Sequence, residues 1–221
     1  MSEACLELFL LLWVLYFLSI EGAGLSVNQQ ELYEQIKTHR KIASIKYNKH
    51  LERALENDVS GVFLLTGNIG VIKRYVDLFL SKGRFVFLHL EKIGGLQVDR
   101  EGLDFIASYV KPTGVISTKS SIIKQANKLG LRTIQRVFLV DSDALQHGVE
   151  MCNTVKPDAI ELMPGIIPTM IEKVKTLTDI PIITGGLIST AEEMKEPLKH
   201  GAIAVSTGNP ALWGVHINGD S

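Results

Sequence analysis

Lysine, arginine, glutamate and paired glycines recur along this chain about every twenty residues, each just after a short apolar run. The positions are Lys46, Thr66, His89 with Glu91, Thr118 with Lys119, Arg136 with Asp141, Glu161 with Pro164-Gly165, Gly185-Gly186, and Thr207-Gly208-Asn209. Lys46 and Arg136 bring positive charge for an anionic ligand, and Glu91 and Glu161 bring acceptors for ligand hydroxyls. TGGLIST (184–190) and STGN (206–209) offer glycine backbone that an anion can approach closely. Their N–H groups stand at helix starts, and the hydroxyls of Ser206 and Thr207 add donors. A phosphate at one pole and hydroxyls at the other describe a small polyol phosphate. The ligand set read this way is Lys46, Glu91, Arg136, Glu161, Gly165, Gly185, Gly186, Thr207, Gly208 and Asn209. Each has a plain structural alternative: Gly-Gly as a tight turn only, and each charge as half of an internal ion pair, for instance Lys46 with Glu161.

Chemistry on such a ligand needs an acid–base pair or an activated nucleophile. Lys119 has the amine for a Schiff base and Glu161 the carboxylate for a base, but neither has a visible partner. Two cysteines, Cys5 and Cys152, are too few for a disulfide framework or a structural zinc site. Cys152 falls in a helix and reads as a packing residue; His89 reads as a core or mouth residue. No catalytic or metal-ligating residue is therefore assigned.

These positions are held by a repeat of short strands and helices. Asn28–Arg40 has helical spacing. Strands are expected at Lys41–Lys46, Gly61–Leu65, Arg84–Leu90, Gly114–Ser117, within Thr133–Val140, and at Ala159–Leu162, Ile182–Thr184 and Ala202–Ser206. Helices are expected around His50–Glu56, Ile69–Ser81, Glu101–Val110 and Ser120–Leu129, the last with Gly130 at its C′ position. Ser142 or Asp143 is expected to cap the next helix, and Pro168 to open the one after. Thr190-Ala-Glu-Glu193 has the pattern of a capping box, and Pro197 should shorten or kink that helix. Pro210–Trp213 is a short last helix. Eight strands alternating with eight helices predict parallel pairing and an α/β fold, a single compact (β/α)8 barrel. At roughly 175 residues the repeat is shorter than the usual 250 or so, so its loops must be lean. A doubly wound sheet is the alternative, but no G-x-G-x-x-G turn follows the first strand. In such a barrel, function sits where strands run out into the βα loops.

The 221 residues carry a net charge of −1, with 46% hydrophobic and 21% charged residues. No cationic excess exists for indiscriminate binding of polyanions. The apolar excess is local: 18 of the first 25 residues are hydrophobic. Leu8–Ile20 is uncharged but, at thirteen residues, short of the roughly 20 that span a bilayer. Glu3 and Glu7 precede it and the first basic residue is Lys37, which argues against a secretory signal. No basic cluster flanks it as an anchor requires. A start codon assigned upstream of the native one is the further reading, with Leu25 and Val27 as candidate starts. The expected layout is a 1–27 apolar extension, a 28–215 barrel with a leading helix, and a 216–221 tail. Membrane contact is expected only if the extension belongs to the native protein.

ISTKS (116–120), QRVFLVDS (135–142), ELMPGIIP (161–168), GGLI (185–188) and STGNPALW (206–213), in this order over roughly Lys41 to Trp213, resemble the glycerol uptake operon antiterminator family. The resemblance implies a bacterial, cytoplasmic regulator with a (β/α)8-type fold. It implies a response to glycerol 3-phosphate and binding to the leader mRNA of its own operon, which prevents premature termination of transcription. It implies an effector rather than a cofactor, and no enzyme activity; DNA is not an expected partner. Members start close to the first strand, so the apolar extension is a departure that favours the start-site reading. Basic clusters exist at Lys73-Arg74, at Lys82 with Arg84, and at Lys119, Lys124, Lys128 and Arg132. The last is the candidate RNA contact, with a solvated helix surface as the plain alternative. No RRM, KH or OB signature is present, so RNA binding rests on the resemblance. The competing readings are an isomerase or lyase acting on a small phosphate ester, and a metabolite-binding protein that acts through a protein partner. A homodimer is left open.

Overall fold

The structure, a computed structural model, describes residues 29–217. The apolar segment 8–20, the candidate starts Leu25 and Val27, and most of the 216–221 tail lie outside the described residues. Eight strands form a closed barrel in sequence order, every pair parallel. They are β1 (Lys41–Ile45), β2 (Gly61–Leu64), β3 (Phe85–His89), β4 (Gly114–Ser117), β5 (Arg132–Phe138), β6 (Ala159–Met163), β7 (Ile182–Gly185) and β8 (Ala204–Thr207). The helices are α1 (Gln29–His39), α2 (Leu51–Leu55), α3 (Ile72–Leu80), α4 (Arg100–Phe105), α5 (Ser120–Lys128), α6 (Ser142–Val155), α7 (Thr169–Lys175) and α8 (Ala191–Lys199). The compact (β/α)8 barrel is thus the fold.

Strand alternation sorts the side chains. One set packs outward beneath the helices, in a layer built on Val62, Val86 and Val115 and another on Val137, Leu162 and Val205. The other set points inward and fills the lower barrel with Ile42, Phe63, Phe85, Phe87, Ile116, Ile134 and Ile183. Leu32 and Ile36 of α1 join this inner cluster, so the leading helix closes the bottom. It is held there by Tyr33, whose hydroxyl donates to the Asp158 carbonyl (2.7 Å), and by Ser60, which donates to the Ile36 carbonyl (2.8 Å).

Most element ends fall within a few residues of their sequence expectation. The unit after β1 is a 3₁₀ turn (Asn48–His50) leading into the five-residue α2, and α4 continues as a π-helix over Ile106–Val110. Gly130, at φ +76°, closes α5. Its N–H donates to the Asn127 carbonyl and that of Leu131 to the Ala126 carbonyl, the two bonds of a Schellman motif. The Thr190–Glu193 capping box is present in both directions. Three details differ. Asp141, not Ser142 or Asp143, caps α6, its Oδ1 accepting from the Ala144 N–H at 2.7 Å. Pro168 is one residue earlier than expected, at the N-cap of α7 with φ −65°. Pro197 does not cut short α8, which runs on to Lys199; its ring is buried, and the missing N–H removes a single bond, the one to the Glu193 carbonyl. The final segment folds back under β1, where Lys41 Nζ donates to the carbonyls of Trp213 (2.8 Å) and Val215 (2.7 Å). Among the described residues no helix is long and apolar enough to cross a membrane.

Candidate functional site

With the lower barrel filled and plugged, the inward positions near the strand C-termini surround an open cavity of about 640 Å³. Its wall is made by successive inward residues: Ser44 and Lys46 from β1 and its loop, His89 from β3, Arg136 and Phe138 from β5, Glu161 and Met163 from β6, Ser206 and Gly208 from β8 and its loop. The loops add Tyr47, Leu65, Glu91, Lys92, Thr118 and Gly186.

One wall is a closed polar network. Arg136 and Glu161 are register neighbours on β5 and β6. Arg136 Nε donates to Glu161 Oε2 at 2.7 Å, and Nη2 lies 2.7 Å from the same oxygen. Ser206 donates to Oε1 at 2.7 Å. Glu161 is fully buried, so these contacts replace the water it has lost. Gly185 makes room for them: a Cβ there would come within 2.0 Å of Ser206 Oγ and 3.1 Å of Glu161 Oε1. The expected alternative of a Lys46–Glu161 pair is overturned. Glu161 pairs with its sheet neighbour, and Lys46 is left without an ion-pair partner among the described residues.

Lys46 instead reaches over bare backbone. A Cβ on Gly208 would stand 3.3 Å from Lys46 Cε and 3.5 Å from its Nζ. Gly186 lies on the same side, in the left-handed region at φ +80°. This pole therefore joins a solvated ammonium to two glycines whose backbone a ligand can approach.

The other pole is acidic. Glu91 accepts from the Ser117 hydroxyl, and its Oε2 lies 3.1 Å from Nδ1 of the buried His89. That contact is not aligned as a hydrogen bond, so both atoms are buried with hydrogen-bonding capacity unused. Burial pushes the Glu91 carboxyl up, but the His89 ring, the Ser117 hydroxyl and its own backbone N–H outweigh burial and hold it at about 2, against an ordinary 4.5. A carboxyl depressed on folding contributes its full stability above the unfolded value and loses it as pH falls through the folded one. The window is thus from pH 4.5 down to about 2. Glu91→Gln is expected to flatten the fall of the melting temperature across that window, read by circular dichroism. An unchanged acid limb would show that the network does not hold the charge.

Of the ten ligand candidates, Lys46, Glu91, Arg136, Glu161, Gly186 and Gly208 line the cavity. The other four stand behind it. Gly165 gives its N–H to the Gly186 carbonyl (3.1 Å), and Gly185 accommodates Ser206. The Thr207 hydroxyl points outward, donating to the Ile188 carbonyl (3.4 Å) and accepting from the Asn209 N–H (3.1 Å). Asn209 Oδ1 accepts from the Ala211 N–H and so caps the last 3₁₀ turn. Among the basic candidates, Lys119 is the N-cap residue of α5 at the mouth, and Lys124 and Lys128 are exposed along that helix. Arg132 is separated from Lys119 by the height of the barrel and pairs with Asp158 at 3.0 Å. Ser44, Tyr47, Leu65, Lys92, Phe138 and Met163 also line the cavity and were not anticipated. Two-residue alternation through Lys46 points to Ser44, and through Arg136 and Glu161 to Phe138 and Met163. Tyr47 and Lys92 lie in loops and carry no periodic signal. Among the described residues no group of three or more His, Cys, Asp or Glu could hold a metal ion.

Residues 41–213 match the profile of the family described as glycerol-3-phosphate responsive antiterminator. The glycerol uptake operon antiterminator regulatory protein from Listeria monocytogenes is 37% identical at a TM-score of 0.76, the match covering 80% of this chain and 95% of that one. A glycerol uptake operon antiterminator-related protein from Thermotoga maritima is 27% identical at a TM-score of 0.70, covering 79% and 98%. A protein from Escherichia coli K12 known as "Uncharacterized protein YgcP" is 30% identical over 172 residues, 78% of this chain and 90% of that protein. Orotidine 5′-phosphate decarboxylase from Pyrococcus horikoshii, at 18% identity and a TM-score of 0.61, shares the fold alone. On the profile match and these relatives, the chain belongs to the glycerol-3-phosphate responsive antiterminator family.

Proposed function

We propose that this protein is a cytoplasmic antiterminator that binds glycerol 3-phosphate in the barrel mouth and, when loaded, binds the leader mRNA of a glycerol-utilisation operon. The observation that carries the ligand is the two-pole cavity. The phosphate sits by Lys46 against the Gly186 and Gly208 backbone, with Ser206 beside it, and the hydroxyls meet the pole lined by Glu91 and His89. Family membership supports the RNA partner. The effector must bind the RNA-competent state more tightly, since equal affinity for both states shifts nothing.

The same cavity favours binding over turnover. The two oxygens of Glu161 are taken by Arg136 and Ser206 and are not free to meet a substrate, and Glu91 is held strongly acidic, a poor proton acceptor near neutral pH. The test is a titration of leader transcript with protein, with and without glycerol 3-phosphate. Effector is expected to tighten RNA binding, and RNA to tighten effector binding by the same factor. RNA affinity indifferent to the effector would refute the regulatory reading, and turnover of a triose or pentose phosphate would replace it with an enzymatic one.

A further inference from the structure

The cavity is too large for the proposed effector alone. Glycerol 3-phosphate, with roughly ten non-hydrogen atoms, takes on the order of 200 Å³, the space of six or seven waters at about 30 Å³ each. The cavity holds about 640 Å³. A molecule seated on the phosphate pole therefore leaves more than half of the space open toward solvent.

The rim around that space is divided. The loops after β1 to β4 (46–50, 65–71, 90–99 and 118–119) carry Lys46, Lys49, Lys92 and Lys119, all exposed. Their two carboxylates are occupied, Glu91 with Ser117 and Asp99 as the cap of α4. The loops after β5 to β8 (139–141, 164–168, 186–190 and 208–209) contain no lysine or arginine. A chain of net charge −1 thus collects cations along one arc of its mouth. Two aromatic rings line the cavity and yet remain open to solvent, Tyr47 at 61% and Phe138 at 50%. Tyr47 lies in the loop just after β1 and Phe138 ends β5, and those strands are diametrically opposed in an eight-stranded barrel, so the two rings flank the opening. Lys49 Nζ lies 5.8 Å from the Tyr47 ring centroid.

Exposed aromatics beside a cationic track are the elements of single-strand binding, in which bases stack on rings while the backbone follows the charge. Resting on the functional reading above, we propose that the RNA interface is the barrel mouth itself. An unpaired base of the leader enters the cavity between Tyr47 and Phe138, and the sugar–phosphate chain follows Lys49, Lys92 and Lys119. The bound effector forms the floor beneath that base. Effector dependence then arises by direct contact: without the effector, the base faces a deep, water-filled hole.

The experiment measures anisotropy of fluorescent leader transcript at saturating glycerol 3-phosphate, over a range of salt. Tyr47→Ala and Phe138→Ala are each expected to weaken RNA binding roughly ten-fold or more. Lys49→Gln with Lys92→Gln should lower the slope of log affinity against log salt by about 1.4. Melting temperatures near wild type establish that these exposed positions have not cost the fold. The competing face is probed with Lys124→Gln plus Lys128→Gln, for which a smaller loss is expected. If that pair abolishes binding while both aromatic variants bind as wild type, the interface runs down α5 and the mouth proposal falls alone. If wild-type protein saturated with effector binds no leader RNA, the functional reading falls and takes this inference with it.

Discussion

Gly186→Asp is expected to abolish glycerol 3-phosphate binding, with an affinity loss above a hundred-fold by titration calorimetry. Three effects act in the same direction. The carboxylate is placed at the pole proposed for the phosphate, setting like charge against like charge in a partly desolvated cavity. The backbone at φ +80° is one that few residues with a Cβ adopt readily, Asn and Asp least unwillingly. A Cβ there would come within 2.5 Å of Met163 Cε, the end of a flexible side chain able to move. Backbone and clash are therefore tolerable for an aspartate, and charge dominates. Gly186→Asn isolates that contribution, because it has nearly the same shape without the charge; it should retain much of the affinity. A Gly186→Asp protein that binds as wild type would place the phosphate elsewhere.

Glu161→Ala is expected to be the most destabilising single change in the site. Removing the carboxylate leaves the Arg136 guanidinium, 8% exposed, without its counter-charge and Ser206 without its acceptor. Breaking a buried pair from one side costs about 3–5 kcal/mol, which for a domain of this size lowers the melting temperature by roughly 6–20 °C. Replacing both partners, Arg136→Met with Glu161→Leu, should recover most of that loss, since the desolvation of two charges disappears with them. A single variant that melts within 2 °C or so of wild type would mean that water reaches the arginine and screens it.

The alternation of apolar runs with amphipathic segments was enough to specify the barrel, because parallel strands buried on both faces leave continuous apolar stretches such as Phe85–Leu88. Partnership across strands was less legible. That Arg136 and Glu161 point inward follows from two-residue alternation. That they touch follows from a register spanning 25 positions, which one sequence does not reveal, and Lys46 was an equally good partner on charge alone. Sequence proximity also misled. Lys119 and Arg132 look like ends of one basic cluster, but α5 runs antiparallel to the strands, so it carries the chain from the mouth to the base and leaves Arg132 beside Asp158. Asp141 takes the capping role assigned to its neighbours because a helix start is defined by backbone dihedrals, and three candidate oxygens in succession do not distinguish them. Tyr47 and Lys92 belong to loops, where no period sorts inward from outward.

The α1 helix that plugs the base gives the barrel a single door. Effector must arrive and depart through the opening that, on the proposal above, the transcript also occupies. Release is then ordered, last in and first out: the RNA must lift before the small molecule can leave. Such a complex works as a latch. A brief fall in effector concentration does not reverse a commitment already made on a given transcript, because the lifetime of the bound RNA, and not the momentary metabolite level, sets how long that commitment lasts.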